Sequence, residues 1–191
     1  ERSVNIPTIE EVENEQKRLR HRAVYQRTLR GTIAVLLVVA AISVLVATLW
    51  MPVLQIYGSS MSPTLEAGQI VVSVKTNQLK TGEVVAFWQG NKLLVKRVIA
   101  GPGQWVDIDM DGNVTVDGKE LTEDYLDVKA LGNCDVELPH QVEESRWFLM
   151  GDNRDVSVDS RSAAIGDVSK DQIEGKIVFR IWPLKEFGSM Q

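Results

Sequence analysis

Nucleophilic and ionisable side chains gather in three short segments of this chain. The first is Tyr57-Gly58-Ser59-Ser60-Met61-Ser62-Pro63-Thr64-Leu65. The second is Val95-Lys96-Arg97-Val98-Ile99-Ala100-Gly101-Pro102-Gly103. The third is Gly151-Asp152-Asn153-Arg154-Asp155-Val156-Ser157-Val158-Asp159-Ser160-Arg161. A serine hydroxyl attacks a carbonyl well only when a base takes its proton, and histidine is the usual base. The two histidines here, His21 and His140, stand in no motif with a serine and a carboxylate. Together with the lone Cys134 they give no zinc-ligand spacing either. A hydrolase made from these residues needs a different base. Lys96 is the candidate, because Leu93, Leu94, Val95, Val98 and Ile99 surround it. Burial among such neighbours disfavours the ammonium and lowers the pKa. The same pattern also fits an edge lysine reaching for solvent, with Arg97 on the opposite face. The Gly-Ser-Ser turn alone reads equally as a linker.

The elements that would hold these segments are strands. Residues 70–74 are β-branched, 84–88 read VVAFW, and 92–100 read KLLVKRVIA. VDIDM at 106–110 alternates, Asp111-Gly112 turns the chain, and VTV follows, which predicts a hairpin. A last strand is predicted over 173–182. No long amphipathic helix falls among them, so the fold class is mainly β with antiparallel pairs. Residues 120–145 are acidic and aperiodic, which predicts an insertion or a mobile loop. Trp88, Trp105, Trp147 and Trp182 each read as core aromatics.

Ahead of the strands, 33–51 read IAVLLVVAAISVLVATLWM without a charge. As a helix that run spans about 30 Å, the thickness of a hydrocarbon core. It has no polar face for a soluble helix to show to water, and no small-x-small cleavage site follows before Pro52. It is therefore read as a retained transmembrane helix, with Trp50 at its far interface. Lys17, Arg18, Arg20, Arg22, Arg27 and Arg30 precede it, and 52–73 contain no Lys or Arg. The positive-inside rule then assigns 1–31 to the cytoplasm as a helical segment. It makes 32–51 the anchor and sends 52–191 outside. Thr8 and Glu11 have the spacing of a capping box. A net charge of -5 argues against nucleic-acid binding, and one cysteine allows no intrachain disulfide.

Together, in this order behind one apolar run, the segments resemble the bacterial type I (leader) signal peptidases. Ser60-Met61-x-Pro63-Thr64-Leu65 is similar to that family's nucleophile box, and Lys96-Arg97 with Gly101-Pro102-Gly103 to its base box. Gly151 to Arg154 with Ser157 and Asp159-Ser160-Arg161 is similar to its third box. Gly82-Glu83-Val84-Val85-Ala86-Phe87 fits a further motif, with Glu where Asp is common. The resemblance implies an antiparallel β-sheet catalytic core with a smaller β insertion, here 104–146, behind a single N-terminal transmembrane helix. It implies Ser60 as nucleophile and Lys96 as general base. Ser157 would hydrogen-bond the lysine amine, Asp159 and Arg161 would form a supporting ion pair, and Asp152 would buttress the same turn. Arg97 would be structural. Ile56, Met61, Leu65 and Val95 would line shallow pockets for small side chains. Gly58 stands where one branch of the family has a hydroxyl that helps bind the oxyanion, which leaves the second oxyanion donor open. The implied activity is removal of signal peptides from exported preproteins after small-x-small sites at a bacterial cell membrane, with no metal or cofactor. The implied partners are preprotein signal peptides, the lipid bilayer and the protein-export machinery. Two other readings stand beside it: a catalytically silent membrane-bound accessory, or a processing enzyme for a single substrate. A lysine that works this way must fall from about 10.4 to roughly 8, a cost near 3 kcal/mol.

Overall fold

The structure is a computed structural model and describes residues 8–76 and 78–190. The chain divides into two compact units, 1–47 and 48–191.

Helix α1 (Ile9–Trp50) runs for 42 residues. No proline interrupts it, and it stops before Pro52, whose ring disfavours helical backbone in the residue ahead of it. The Thr8 carbonyl accepts the first helical bond from Val12 N–H at 3.1 Å. The Glu11 side chain, the other half of the expected capping box, lies outside the described residues, as do residues 1–7. Within the apolar stretch, Thr32 and Ser43 donate their hydroxyls back to Thr28 O and Val39 O at 3.0 and 2.8 Å. Their polar groups are therefore satisfied inside the helix. Leu36, Leu37, Val44 and Leu45 stay exposed. The helix is long and apolar enough to cross a membrane.

The second unit is built from twelve strands among the described residues. β1 (Val53–Gln55), β2 (Ile70–Val74), β3 (Val84–Gln89) and β4 (Lys92–Ala100) come first. β5 (Trp105–Ile108), β6 (Val114–Val116), β7 (Lys119–Glu120) and β8 (His140–Gln141) follow. β9 (Arg146–Met150), β10 (Val168–Ser169), β11 (Ile173–Trp182) and β12 (Gly188–Ser189) complete the set. The larger sheet has the order β1-β2-β11-β3-β4-β9-β10, with β12 also on β11. The smaller sheet has the order β7-β6-β5-β8. Every pairing is antiparallel. The mainly β class read from the pattern is the class observed.

Three apolar clusters hold the unit together. One packs β5 and β6 under β4 and β9, through Ile99, Val106, Val114, Phe148 and Met150. A second joins Ile56, Met61 and Leu65 to Val71, Val84 and Ala86. The third lies on the opposite face, with Val85, Phe87, Val98 and Leu149. Residues Val84 to Phe87 of β3 therefore alternate between two buried faces.

Several expectations change. The run at 106–110 ends as a strand at Ile108, because the Asp109 carboxylate accepts the N–H groups of Asp111 and Asn113 and takes the turn. Strand β9 is absent from the sequence reading because Trp147, Phe148, Leu149 and Met150 are all buried and show no alternation. Residues 120–145 hold only the end of β7 and the short β8 as regular structure, but Leu121, Leu131, Val136 and Leu138 pack on the first cluster instead of swinging free. Of the four tryptophans read as core, only Trp147 is buried, while Trp88, Trp105 and Trp182 keep about half their surface.

Candidate active site

Ser60 stands on a loop clipped at its base. Ile56 N–H donates to Gln69 O at 2.8 Å, and Gly68 N–H returns to Ile56 O at 2.9 Å. Inside the loop, Leu65 N–H closes one turn on Met61 O at 2.8 Å. Ile56, Met61 and Leu65 sink into the second cluster, which leaves Ser60 between them facing outward. Gly58 has φ +81, a left-handed conformation that costs other residues about 1 kcal/mol or more. Among the described residues the Ser60 N–H donates to no protein group.

Lys96 reaches Ser60 from the middle of β4. Its cross-strand partner in β3 is Val85, and the lysine is only 3% exposed. Nζ lies 2.6 Å from Ser60 Oγ. Burial lowers the amine from its ordinary range to about 8, Asp159 and Asp152 pull it back up, and Arg161 pushes it down. At neutral pH a useful fraction of the amine is neutral and able to accept a proton. The edge-lysine alternative is therefore excluded by the burial.

The third segment packs against both. Asn153 N–H donates to Ser60 O at 3.0 Å, and Ser157 N–H to Asn153 O at 3.0 Å. Gly151 lies so close that a side chain there would overlap Ser157 Oγ and Ser60 O. Its N–H donates to Asp159 at 2.9 Å. Asp159 meets Arg161 in a two-pronged pair, at 2.8 and 2.9 Å. Burial opposes ionisation of Asp159, but the Arg161 hydrogen bonds and charge, with the Gly151 N–H, outweigh it and hold the carboxyl below its usual range. The Asp152 carboxylate reaches across to β4. It takes Arg97 in a second fork, at 2.8 and 2.6 Å, with both side chains buried. Arg97 also donates to Gly82 O at 2.6 Å and Thr64 Oγ1 at 3.2 Å, so it ties all three segments together.

Two assignments are corrected. Ser157 makes no hydrogen bond to the lysine. Among the described residues its hydroxyl is buried without a hydrogen-bond partner, and it is close enough to Asp159 only to add weakly to that carboxylate's ionisation. Leu65 does not line a pocket. It is fully buried behind Met61, as the helical turn at 61–65 requires. The remaining pocket residues, Ile56, Met61 and Val95, do line one groove with Gly58, Ser60 and Lys96. Its volume is about 550 Å³, and Val53, Trp88, Asn91 and Leu93 extend it along β4. There β4 has an open edge, because its pairing with β9 begins only at Arg97.

Sequence reasoning passed over Arg154, Glu123 and Tyr125. Arg154 lies in the third segment, and its Nε donates to Gly151 O at 3.0 Å. Glu123 pairs with Arg154 with both side chains fully buried. The Tyr125 ring lies under Arg97, 3.8 Å from guanidinium carbon to ring centre. Nothing in the acidic run around Glu123 distinguishes it from Glu120 or Asp124. No group of three or more His, Cys, Asp or Glu among the described residues could hold a metal.

A family model described as "Signal peptidase, peptidase S26" matches residues 29–182. Signal peptidase IB of Staphylococcus aureus (strain COL) is 39% identical over 153 residues, covering 69% of this chain and 78% of that protein. Signal peptidase I of Bacillus licheniformis is 32% identical over 169 residues, covering 80% and 88%. The crystal structure of a signal peptidase I from Enterococcus faecalis V583 aligns with a TM-score of 0.44 and 25% identity, over 53% of this chain and 98% of that one.

Proposed function

The chain belongs to the signal peptidase S26 family of serine proteases, and from that premise we propose that Ser60 and Lys96 are its catalytic dyad. The substrates are preproteins, and the reaction is hydrolysis of the bond that joins signal peptide to mature chain. The observation that carries the reading is the 2.6 Å contact between Lys96 Nζ and Ser60 Oγ in a site where burial favours the neutral amine. Neutral Lys96 takes the Ser60 proton as Oγ attacks the scissile carbonyl. The ammonium then gives that proton to the leaving amine, and an acyl-enzyme on Ser60 remains. A water, deprotonated by the same lysine, hydrolyses it. The uncommitted Ser60 N–H supports the charge that develops on the carbonyl oxygen. Gly58 brings no hydroxyl to that task, which leaves the second donor to a backbone N–H or a water.

An extended peptide fits the groove. The free edge of β4 over 92–96 offers unpaired backbone groups, which favours strand addition. Ile56, Met61 and Val95 leave room for small side chains beside Ser60, which supports cleavage after Ala-x-Ala. Residues 32–51, which include the apolar end of helix α1, are the membrane anchor, with residues 1–31 in the cytoplasm and 52–191 outside. The basic flank before the apolar run supports that orientation. A tether shared with a membrane-held leader raises effective concentration.

The test is cleavage of a preprotein with an Ala-x-Ala site by the full chain in detergent, beside Ser60→Ala and Lys96→Ala. Cutting after the second alanine by the natural chain, with both variants folded and inactive, is the expected result. Cutting by either variant at the natural rate would remove the dyad assignment. Binding without cutting by the natural chain would favour an accessory role.

A further inference from the structure

Each of three buried arginines near the dyad reaches into the stretch between β7 and β8. Arg97 lies over the Tyr125 ring. Arg154 pairs with the Glu123 carboxylate. Arg161 donates through Nη1 to Leu131 O. Tyr125 also joins the first two contacts, because its hydroxyl donates to Glu123 Oε1 at 2.9 Å. Burial, and then the Glu123 carboxylate, push that phenol above its ordinary pKa, so it remains a protonated donor.

The placement of these contacts is specific to the dyad. Arg97 follows Lys96 directly on β4, so what fixes its guanidinium fixes the backbone that carries the base. Arg154 follows Asn153, whose N–H holds the Ser60 carbonyl, and Arg154 Nε holds Gly151 O. Gly151 in turn presses on Ser60 O. Glu123 and Tyr125 therefore each stand one side chain away from a residue adjoining the dyad or the turn beneath it. Charge makes the arrangement demanding. Asp152 neutralises Arg97 and Asp159 neutralises Arg161, while Arg154, among the described residues, finds its carboxylate only in Glu123. A buried guanidinium without a partner is too costly to stay in place. Without Glu123, Arg154 would turn toward water and carry the 151–154 turn with it. A shift of about 1 Å at that turn is enough to lose most of a rate that depends on alignment.

We propose that Glu123 and Tyr125 are positioning residues of the Ser60–Lys96 site: Glu123 by locking Arg154, and Tyr125 by supporting Arg97 through its ring face. They touch neither the groove nor the dyad. Their loss thus acts on kcat and leaves KM nearly unchanged. The proposal rests on the dyad reading, and the experiment separates the two.

The full chain in detergent is compared with Glu123→Gln, Tyr125→Leu, Tyr125→Phe and Asp124→Asn, using a peptide carrying an Ala-x-Ala site. kcat, KM and the pH profile are measured, with thermal melting as the check on folding. Asp124 is exposed between the two residues and serves as the control. The expected result is a tenfold or greater fall in kcat for Glu123→Gln and Tyr125→Leu, with KM within twofold. Tyr125→Phe, which keeps the ring face under Arg97, restores most of kcat, and Asp124→Asn matches the natural chain. Tyr125→Leu also moves the low-pH limb upward, because a loosened site admits water to the amine. If Glu123→Gln does not fold, the Leu and Phe variants at Tyr125 decide alone. Folded variants with kcat within threefold overturn the proposal, as does a loss that only tracks the unfolded fraction. A rise in KM at constant kcat also overturns it. A natural chain that does not cut at all defeats the dyad reading instead.

Discussion

Lys96, the proposed base, sits where the fold denies it water. Its folded pKa of about 8 lies below the unfolded value. The folded state therefore binds the proton less well, and below about pH 8 the site costs stability. That cost is relieved as pH rises from 8 toward the unfolded value near 10.4. Two outcomes are expected. Cleavage by the natural chain rises with pH through an apparent pKa near 8, measured as kcat/KM, and a plateau already reached at pH 6.5 would dismiss the lysine as base. Lys96→Met, inactive and close in volume, is expected to melt higher than the natural chain at pH 7, by roughly 2–3 kcal/mol. The gap is expected to close by pH 10.5. Gly151 supplies the second lesson at this scale. A methyl group there meets the Ser157 side chain and Ser60 O. Gly151→Ala is expected to lose 1–3 kcal/mol of stability in urea melts, on the order of an overpacked core site, and at least tenfold in kcat.

Strand β4 does three things along nine residues. Its first half offers an open edge beside the groove. Lys96 then supplies the amine. From Arg97 onward it pairs with β9 and enters the core. The switch from edge to centre falls at the two basic residues, so one strand exposes the proposed docking edge and buries the proposed base next to it. Arg97 secures that switch by its fork to Asp152. Breaking a buried pair by removing one charge costs about 3–5 kcal/mol. Asp152→Asn is expected to lower the urea midpoint accordingly, and an unchanged midpoint would show that water already reaches the pair. Strand β4 and strand β11 were legible to the residue, since both run β-branched between turn signals. Strand β9 was not, because burial on both faces erases the alternation that identifies a strand.

For the whole molecule, one apolar helix precedes a β unit that contains every residue proposed for catalysis. The proposed orientation is checked by labelling single cysteines with an impermeant maleimide, in a Cys134→Ser background. A cysteine replacing the exposed Lys119 is expected to label in intact cells, and one replacing Arg18 only after permeabilisation. The opposite pattern would reverse the topology.

Local chemistry was readable before any coordinates: an uncharged run long enough for a bilayer, strands marked by β-branched residues and turns, and three segments whose residues resemble one protease family. These features depend on neighbours along the chain, so periodicity and motif report them. The site's geometry does not depend on neighbours of that kind. Ser60 and Lys96 meet across 36 positions, and Glu123 meets Arg154 across 31. The packing of the 56–65 loop on β3, the β3–β4–β9 register and the packing of 121–136 bring these pairs together. The same packing took Leu65 out of the groove and left Ser157 without the lysine, although both stand in recognisable segments. Burial decided each case. It settles whether a lysine is a buried amine or a surface charge, and whether an acidic residue in an unremarkable run is solvated or holds an arginine. Burial is a property of the folded whole.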